Sequence, residues 1–304
     1  MSGVDVHASG AWVLKIPAGD VTLAADAFGD PAAPAVVLLH GGGQTRHSWG
    51  ATARDLGSSG WYAVTVDQRG HGESGWSPDH GYDLDRFAGD VRRVVEHVGR
   101  PPVLIGASLG GTAALAALGH VPELALGLVL VDASPFLEPG RTSARRGFMT
   151  ARAAEGFGSL EDAADAVAAF QPHRRRPRSP DGLRKNLRQV GGRWYWHWDP
   201  ALLKDPADQA VQRDPLVDSA RLSAAATSLR VPTLLVRGGK SDVLSEEDAV
   251  RFLRLAPHAE FATVPGAHHM VAGDDNAVFA NVLADFLERR IRSRVCLLAR
   301  YPPP

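Results

Sequence analysis

Four short apolar runs alternate with stretches of helical periodicity in the first half of this 304-residue chain, and they constrain its fold more than any other feature. They occupy residues 36–39, 62–66, 103–105 and 128–131 and are apolar on successive positions. Strands with that pattern are buried on both faces, as the interior strands of a parallel sheet are. Between them, apolar residues recur at steps of three and four over 84–98, which indicates an amphipathic helix. The alternation predicts an α/β fold with a mostly parallel sheet flanked by helices.

The pattern changes after residue 132. Residues 133–230 are rich in alanine, have helical patterns broken by prolines and show no strand-like alternation. Strand patterns return at 231–237 and 259–264, and a helical stretch follows each of them. We therefore predict an α/β core formed by 1–132 and 231–292, a helical cap of 133–230 inserted before the last two strands, and a tail at 293–304.

The charge balance excludes several classes of partner. With 33 Lys and Arg against 34 Asp and Glu, the formal net charge is −1, so no overall field attracts nucleic acid or an anionic membrane surface.

The longest apolar runs are far shorter than the roughly 20 residues that span a bilayer. Cys296 is the single cysteine, and the first residues lack the basic and apolar segments of a secretory signal, which together predict a cytoplasmic protein.

The pentad at 106–110 fits the pattern G-x-S-x-G around Ser108. A predicted strand at 103–105 precedes it and a strong helical stretch at 112–118 follows, which is the context of a nucleophile elbow. A serine in an ordinary tight turn is the alternative interpretation. At an elbow the side chain lies above the sheet and next to a helix N-terminus, where free N–H groups favour negative charge. The pattern predicts Ser108 as a nucleophile.

A serine hydroxyl needs an imidazole to accept its proton and a carboxylate to orient that imidazole. In this architecture the acid and then the histidine follow the serine along the chain, each in a loop at the carboxyl end of a strand. Asp242 follows the strand at 231–237, and the pair His268 and His269 follows the strand at 259–264. We predict Asp242 as the acid; Asp132, directly after its own strand, is the second candidate.

Taken together, these motifs resemble the α/β-hydrolase superfamily, in its capped serine esterase, lipase and haloperoxidase-like branch. The resemblance rests on residues 40–45, 67–74, 106–110, 237–242 and 264–270. It implies the α/β-hydrolase fold, and it aligns His269 with the catalytic histidine, because that histidine directly precedes a Met-like residue in similar proteins. His268 stands where those proteins have glycine. The resemblance further implies an oxyanion hole in which the Gly42 N–H joins that of Leu109, the residue after the nucleophile.

The remaining histidines and acids predict no metal or cofactor. His40 and His71 lie in motif loops, where we expect them to bind backbone groups. His268, His269, Asp274 and Asp275 are close in sequence, but adjacent residues do not easily converge on one ion.

Three tryptophans fall within residues 194–198 of the predicted cap. Trp196 and Trp198 share a side if the segment is extended, where they either line a substrate pocket or form the core of the cap. Phe136, at the start of the cap, is another candidate for substrate binding. A substrate pocket lined by aromatic side chains favours a hydrophobic substrate.

The sequence therefore predicts a serine hydrolase that cleaves carboxylic esters through an acyl-enzyme, with a small, hydrophobic ester as substrate. A lactonase, a cofactor-independent perhydrolase or haloperoxidase, and a C–C bond hydrolase would use the same triad. A small-molecule receptor or interaction protein on a hydrolase scaffold is the non-enzymatic alternative.

Overall fold

The predicted apolar runs form the centre of an eight-stranded sheet in the computed structural model, which describes residues 11–136, 147–172, 176, 179–203, 218–274 and 276–293. The strands, in chain order, are β1 (Trp12–Ala18), β2 (Val21–Phe28), β3 (Ala35–Leu39), β4 (Tyr62–Val66), β5 (Val103–Ala107), β6 (Gly127–Val131), β7 (Leu187–Val190), β8 (Arg193–Trp196), β9 (Thr233–Gly238) and β10 (Glu260–Val264). The large sheet has the order β1-β2-β4-β3-β5-β6-β9-β10. Its first two pairings are antiparallel and the remaining ones are parallel, which confirms the predicted fold class.

Helices cover both faces of this sheet. They are α1 (Gly50–Ser58), α2 (Leu84–Val98), α3 (Leu109–His120), α4 (Leu160–Phe170), α5 (Ser219–Ser228), α6 (Glu246–Leu255), α7 (Val271–Asp274) and α8 (Asn276–Phe286), the last continued by a π-helical turn, Leu287–Arg292. Strand residues alternate between the two layers: Val37 belongs to the buried cluster that includes α2, α3, α5 and α6, whereas Val36 belongs to the one that includes α1 and α8. Burying each large apolar side chain in these layers stabilises the fold by about 1.5–3 kcal/mol.

Local signals fix where the helices begin and end. Asp83 accepts the N–H of Arg86 at the start of α2, which ends at Gly99 with a left-handed φ of 76°. Ser245 caps α6 in the same way, because its hydroxyl accepts the N–H of Asp248 at the start of that helix.

The segment between β6 and β9 differs in two ways from the predicted helical cap. It contains the antiparallel hairpin β7–β8, joined by Gly191 and Gly192, whose φ angles of 57° and 79° suit a two-residue turn of type I′. Its last helix, α5, packs on α3 in the core, where a Cβ on Gly119 would lie 2.7 Å from Ala225. Within the described part of this segment, α4 and the hairpin lie outside the main sheet, whereas α5 packs on its helical layer. We call α4, the hairpin and their described connections, which include residues 147–159, the cap.

The tail predicted at 293–304 lies outside the described residues apart from Ser293. Across the part of the chain that the structure describes, no helix is both long enough and apolar enough to cross a bilayer.

Candidate active site

Ser108 occupies the predicted turn between strand and helix. β5 ends at Ala107 and α3 begins at Leu109, so Ser108 alone connects them. Its backbone has φ 47° and ψ −114°, a conformation that L-residues rarely adopt and that costs about 1–3 kcal/mol. Its N–H donates to the carbonyl of Val131, 3.0 Å away, at the end of the neighbouring strand β6. The strained serine is therefore fixed at the carboxyl edge of the sheet.

Three glycines make this turn sterically possible. A Cβ on Gly106 would lie 2.4 Å from the carbonyl carbon of Gly110, and a Cβ on Gly110 would lie 2.4 Å from the carbonyl oxygen of Leu39. A Cβ on Gly111 would lie 2.7 Å from that of Ala133. Real Cβ atoms do not approach other atoms this closely, so these three glycines allow the helix to cross directly over the strand.

The start of α3 provides free donors beside Ser108. The N–H of Thr112 donates to the carbonyl of Ser108 at 3.0 Å, which is the first hydrogen bond of the helix. The N–H groups of residues 109–111 precede it and have no intrahelical acceptor. The N–H of Leu109 is thus available to an oxyanion, as the sequence predicts.

The loop of Gly41, Gly42 and Gly43 passes beside the serine. A Cβ on Gly41 would lie 3.4 Å from the Cβ of Ser108, whereas a Cβ on Gly42 would have open space around it. The N–H of Gly41 donates to Gln44 Oε1 at 2.9 Å, and the N–H of Gly43 donates to His71 Nε2 at 3.1 Å. Among the described residues, none accepts the N–H of Gly42 between them. These contacts support the predicted position of Gly42 in the oxyanion hole.

An ion-pair network joins this loop to the segment at 67–74. The guanidinium of Arg46, 2% exposed, binds Asp67, lies 3.0 Å from a carboxylate oxygen of Asp26, and lies 2.6 Å from Glu73. The Arg46 N–H also donates to Asp67 at 2.6 Å. The two motif segments that the sequence singles out are therefore held against each other.

His40 and His71 bind backbone groups, as predicted. In His40, Nδ1–H donates to the carbonyl of Gly41 at 2.8 Å while Nε2 accepts the N–H of Gln68 at 3.0 Å. In His71, Nδ1–H donates to the carbonyl of Arg69 at 3.0 Å while Nε2 accepts the N–H of Gly43. Each ring uses one nitrogen as donor and the other as acceptor, so both are neutral.

The cap residue His197 extends this pair into a cluster. Its ring lies 5.8 Å from that of His71, which lies 5.0 Å from that of His40. Burial lowers the pKa of His40 to about 4 and that of His71 to about 3, and it lowers the pKa of His197 well below its ordinary value. All three side chains are neutral at neutral pH.

The cluster predicts a loss of stability in mild acid. Because the folded pKa values lie below the unfolded value near 6.5, the unfolded chain binds more protons, and stability present above pH 6.5 is lost as the pH falls towards 4. Each such histidine lowers the free energy of unfolding by about 1.4 kcal/mol for each pH unit of acidification between its unfolded and folded pKa values. Urea unfolding at pH 7.5, 6 and 5 measures this loss of unfolding free energy. An unfolding free energy independent of pH over this range would contradict it.

The carboxylate that binds the histidine is that of Asp132. Asp132 directly follows β6, has φ 49° and is fully buried. Its Oδ2 lies 2.6 Å from His269 Nδ1 and also accepts the hydroxyl of Ser241, and its Oδ1 accepts the N–H of Gly238 at 3.1 Å. A carboxylate that accepts several hydrogen bonds is held in one orientation, so the imidazole is oriented too.

This contact favours Asp132, the second candidate in the sequence, over Asp242 as the acid that orients the imidazole. Asp242 lies in the loop after β9, as expected, but its side chain is exposed. Because β6 and β9 are parallel neighbours, both strands end beside His269, and either could supply the acid. The last residue of β9 and the loop after it supply two donors to Asp132, from Gly238 and Ser241 respectively.

His269 lies in the loop after β10 and its side chain is 10% exposed. Since Ser108 donates to the carbonyl of Val131, the serine backbone lies beside the residue preceding Asp132, the acid that binds His269. The structure thus brings Ser108, Asp132 and His269 to one edge of the sheet. The adjacent His268 has its carbonyl group packed on Gly238. A Cβ on Gly238 would lie 2.2 Å from the carbonyl oxygen of His268.

The predicted substrate-binding residues fall into three environments. Trp196 and Trp198 do share a side, with ring centroids 4.8 Å apart and planes at 13°. Trp198 reaches the glycine loop, 3.5 Å from where a Cβ on Gly43 would lie, whereas Trp196 packs behind it against Phe157. Phe136 packs under the guanidinium of Arg251, 3.7 Å from its ring centroid.

Two cap residues that no sequence pattern predicts also lie at this loop. Met149 would contact a Cβ on Gly43 at 3.0 Å, and His197 Nε2 lies 3.4 Å from the carbonyl of Gly43. No motif marks either residue, because the contact depends on how the cap folds onto the core. The described residues include no group of three or more His, Cys, Asp or Glu arranged to hold a metal ion.

The strand order, with a strained serine at the turn after β5, defines a protein of the α/β-hydrolase-fold class. The profile of the alpha/beta hydrolase fold family matches residues 34–275, and the chain belongs to that family.

Two curated relatives match most of the chain. One is an esterase of Mycobacterium tuberculosis, 29% identical over 265 residues, covering 85% of this chain and 84% of that protein. The other is an sn-1-specific diacylglycerol lipase of Mus musculus, 29% identical over 281 residues, covering 85% of this chain and 82% of that protein.

Solved structures share the fold. A structure of the Mycobacterium tuberculosis esterase superposes with a TM-score of 0.70 at 28% identity, covering 91% of both chains. A structure of E-2-(acetamidomethylene)succinate hydrolase superposes with a TM-score of 0.77 at 23% identity, covering 91% of this chain and 99% of that one, a likeness of fold alone.

Proposed function

We propose that this protein is a serine hydrolase that cleaves carboxylic esters through an acyl-enzyme, with Ser108, His269 and Asp132 as the catalytic triad. The observation that carries the proposal is the hydrogen bond between His269 and buried Asp132, at the sheet edge where the elbow presents Ser108. The relatives named esterase and lipase support an ester as the substrate.

In the first half of the reaction, Ser108 Oγ attacks the ester carbonyl carbon as its proton passes to His269 Nε2. Asp132 keeps the Nδ1–H of His269 oriented and stabilises the imidazolium. The tetrahedral oxyanion accepts hydrogen bonds from the N–H groups of Gly42 and Leu109. Collapse expels the alcohol, which takes the proton from His269, and leaves the acyl group on Ser108.

In the second half, water attacks the acyl-enzyme while His269 again accepts a proton. The second tetrahedral oxyanion accepts hydrogen bonds from the same two N–H groups. In sites of this kind each donor stabilises the transition state by roughly 3 kcal/mol. Collapse returns the proton to Ser108 and releases the carboxylic acid. No cofactor takes part in either half.

We propose a hydrophobic substrate because apolar cap side chains lie next to the oxyanion loop. Trp198 and Met149 both pack on Gly43, and Trp196 stacks behind Trp198. Of the three residues predicted to bind substrate, Trp198 has the strongest support. Trp196 stacks on the ring of Trp198 and so supports it. Phe136, which packs under the guanidinium of Arg251, has the weakest support of the three.

The test is a steady-state panel of chromogenic carboxylic esters with graded acyl chains, run beside lactones and a peracid assay. We expect turnover of esters, with kcat/KM rising with acyl length until the pocket is filled, by about 1–3 kcal/mol per methylene at most. Preferential turnover of lactones, or peracid formation without ester hydrolysis, would assign the same triad to those reactions. Turnover of none of these would contradict the proposal.

Replacing His268 by glycine tests which of the two adjacent histidines is the base. We expect His268→Gly to keep most of the wild-type kcat, because it leaves the His269–Asp132 hydrogen bond in place. His269→Gly is the matched control and should lose turnover. If instead His268→Gly loses turnover and His269→Gly keeps it, the base is His268.

A further inference from the structure

The cap contacts the oxyanion loop through His197. Its Nδ1 accepts the N–H of Gly72 at 2.7 Å, and its Nε2 lies 3.4 Å from the carbonyl oxygen of Gly43. A nitrogen that accepts an N–H carries no proton, so the proton of this neutral ring is on Nε2. His197 therefore donates to Gly43.

Three histidines together fix three consecutive peptide groups. His40 donates to the carbonyl of Gly41, which belongs to the same peptide group as the N–H of Gly42. His71 accepts the N–H of Gly43, which belongs to the next group, and His197 donates to the carbonyl of Gly43 in the third. Glycines have wide backbone freedom, and the Gln44 N–H is the other donor to the Gly41 carbonyl, at 3.1 Å. The three histidine bonds add to that turn and restrict the direction of the Gly42 N–H further.

Further cap residues contact the same loop. Met149 and Trp198 pack on Gly43, and the hydroxyl of Thr45 donates to Asn186 Oδ1 at 3.2 Å. These residues come from separate parts of the cap sequence. The loop is therefore shaped by the core through His40 and His71 and by the cap through His197 and its neighbours.

We infer that His197 is a positioning residue for the reaction: its hydrogen bond to Gly43 holds the loop so that the N–H of Gly42 is directed at the oxyanion next to Ser108. The inference rests on the proposed function. His197 forms hydrogen bonds to Gly72 and Gly43, so in this role it acts through the peptide groups of the glycine loop. Its loss should weaken binding of the oxyanion more than binding of the substrate.

The experiment compares three substitutions of His197 in the full chain. His197→Phe keeps the ring and removes both hydrogen bonds; His197→Asn keeps an acceptor near the position of Nδ1; His197→Gln places a donor near the position of Nε2. We expect kcat to fall about 10- to 100-fold in the Phe and Asn variants with KM within about threefold, and to be largely restored in the Gln variant. The inhibition constant of a trifluoromethyl ketone, which forms an oxyanion on Ser108, should weaken in parallel with kcat.

Two controls separate this role from a structural one. Titrating active sites with a phosphonate gives kcat per competent site, so partial misfolding lowers the site count and leaves the corrected kcat unchanged. His258→Phe removes a comparable histidine bond to a backbone carbonyl, that of Val231 at 3.1 Å, and should leave kcat unchanged.

If the wild type neither turns over esters nor reacts with the phosphonate, the proposed function fails. If the wild type is active and all three variants keep its corrected kcat and inhibition constant, the positioning role is wrong. Should the Phe variant not fold, the Asn and Gln variants decide, and equal corrected kcat values in those two would overturn the inference.

Discussion

Replacing Ser108 by alanine is expected to lower kcat for carboxylic esters by roughly 10⁵- to 10⁶-fold, because triad members act as a unit and little acceleration remains when the nucleophile is lost. The protein should remain folded, since alanine keeps the Cβ and removes only a hydroxyl that is partly exposed. Stopped assays with the most reactive ester of the panel, at high enzyme concentration, measure the residual rate.

Ser108→Gly is the matched control. Like alanine it has no nucleophile, but glycine tolerates the positive φ of 47° without the strain that a side chain incurs there. We expect it to be as inactive as the alanine variant and to have at least as high a Tm, so that loss of activity is separated from loss of stability. Phosphonate labelling of either variant at another serine would show that Ser108 is not the nucleophile.

The sequence predicts the sheet and the elbow well because their causes are local. The runs in β3 to β6 are apolar except at Thr65, and all but one of their residues are buried, as interior parallel strands require. At the elbow, Gly106, Gly110 and Gly111 each fill a position where a Cβ would clash. Because these residue sizes are required by contacts within the same strand, turn and helix, the local sequence is enough to predict the elements.

The acid could not be settled from the sequence, because the choice depends on two strands that are far apart in the chain. Asp132 and Asp242 both follow strands of the same sheet edge, and both are suitably spaced from Ser108 and His269. What distinguishes them is the end of β9 and the loop that follows, from which Gly238 and Ser241 donate hydrogen bonds to Asp132. A buried carboxylate needs such donors, and an exposed one does not.

The cap was the least predictable part for a related reason. The hairpin has a signal, the pair Gly191 and Gly192 between its strands, but the alanine-rich surroundings favour helix. The contact of His197 with Gly43 joins residues 154 positions apart, and nothing local to either residue indicates it. Long-range contacts of this kind follow from how the cap packs on the core.

Exchanging Asp132 for asparagine is expected to lower kcat by roughly 10⁴-fold, whereas Asp242→Asn should keep most of it. An amide at position 132 still fits the site and can accept from Gly238, but its NH₂ group favours the imidazole tautomer that cannot accept the proton of Ser108. Asparagine is preferred to alanine because alanine would leave the donors of Gly238 and Ser241 without an acceptor and so reduce stability.

The comparison of these two variants tests the proposed triad directly. Both remove one negative charge and keep the side-chain shape, so a general electrostatic effect would lower their kcat values similarly. A loss confined to Asp132→Asn, with phosphonate labelling of Ser108 slowed to the same extent, supports Asp132 as the acid. A loss confined to Asp242→Asn would restore the acid that the sequence predicts, and would mean that the loop after β9 approaches His269 during the reaction.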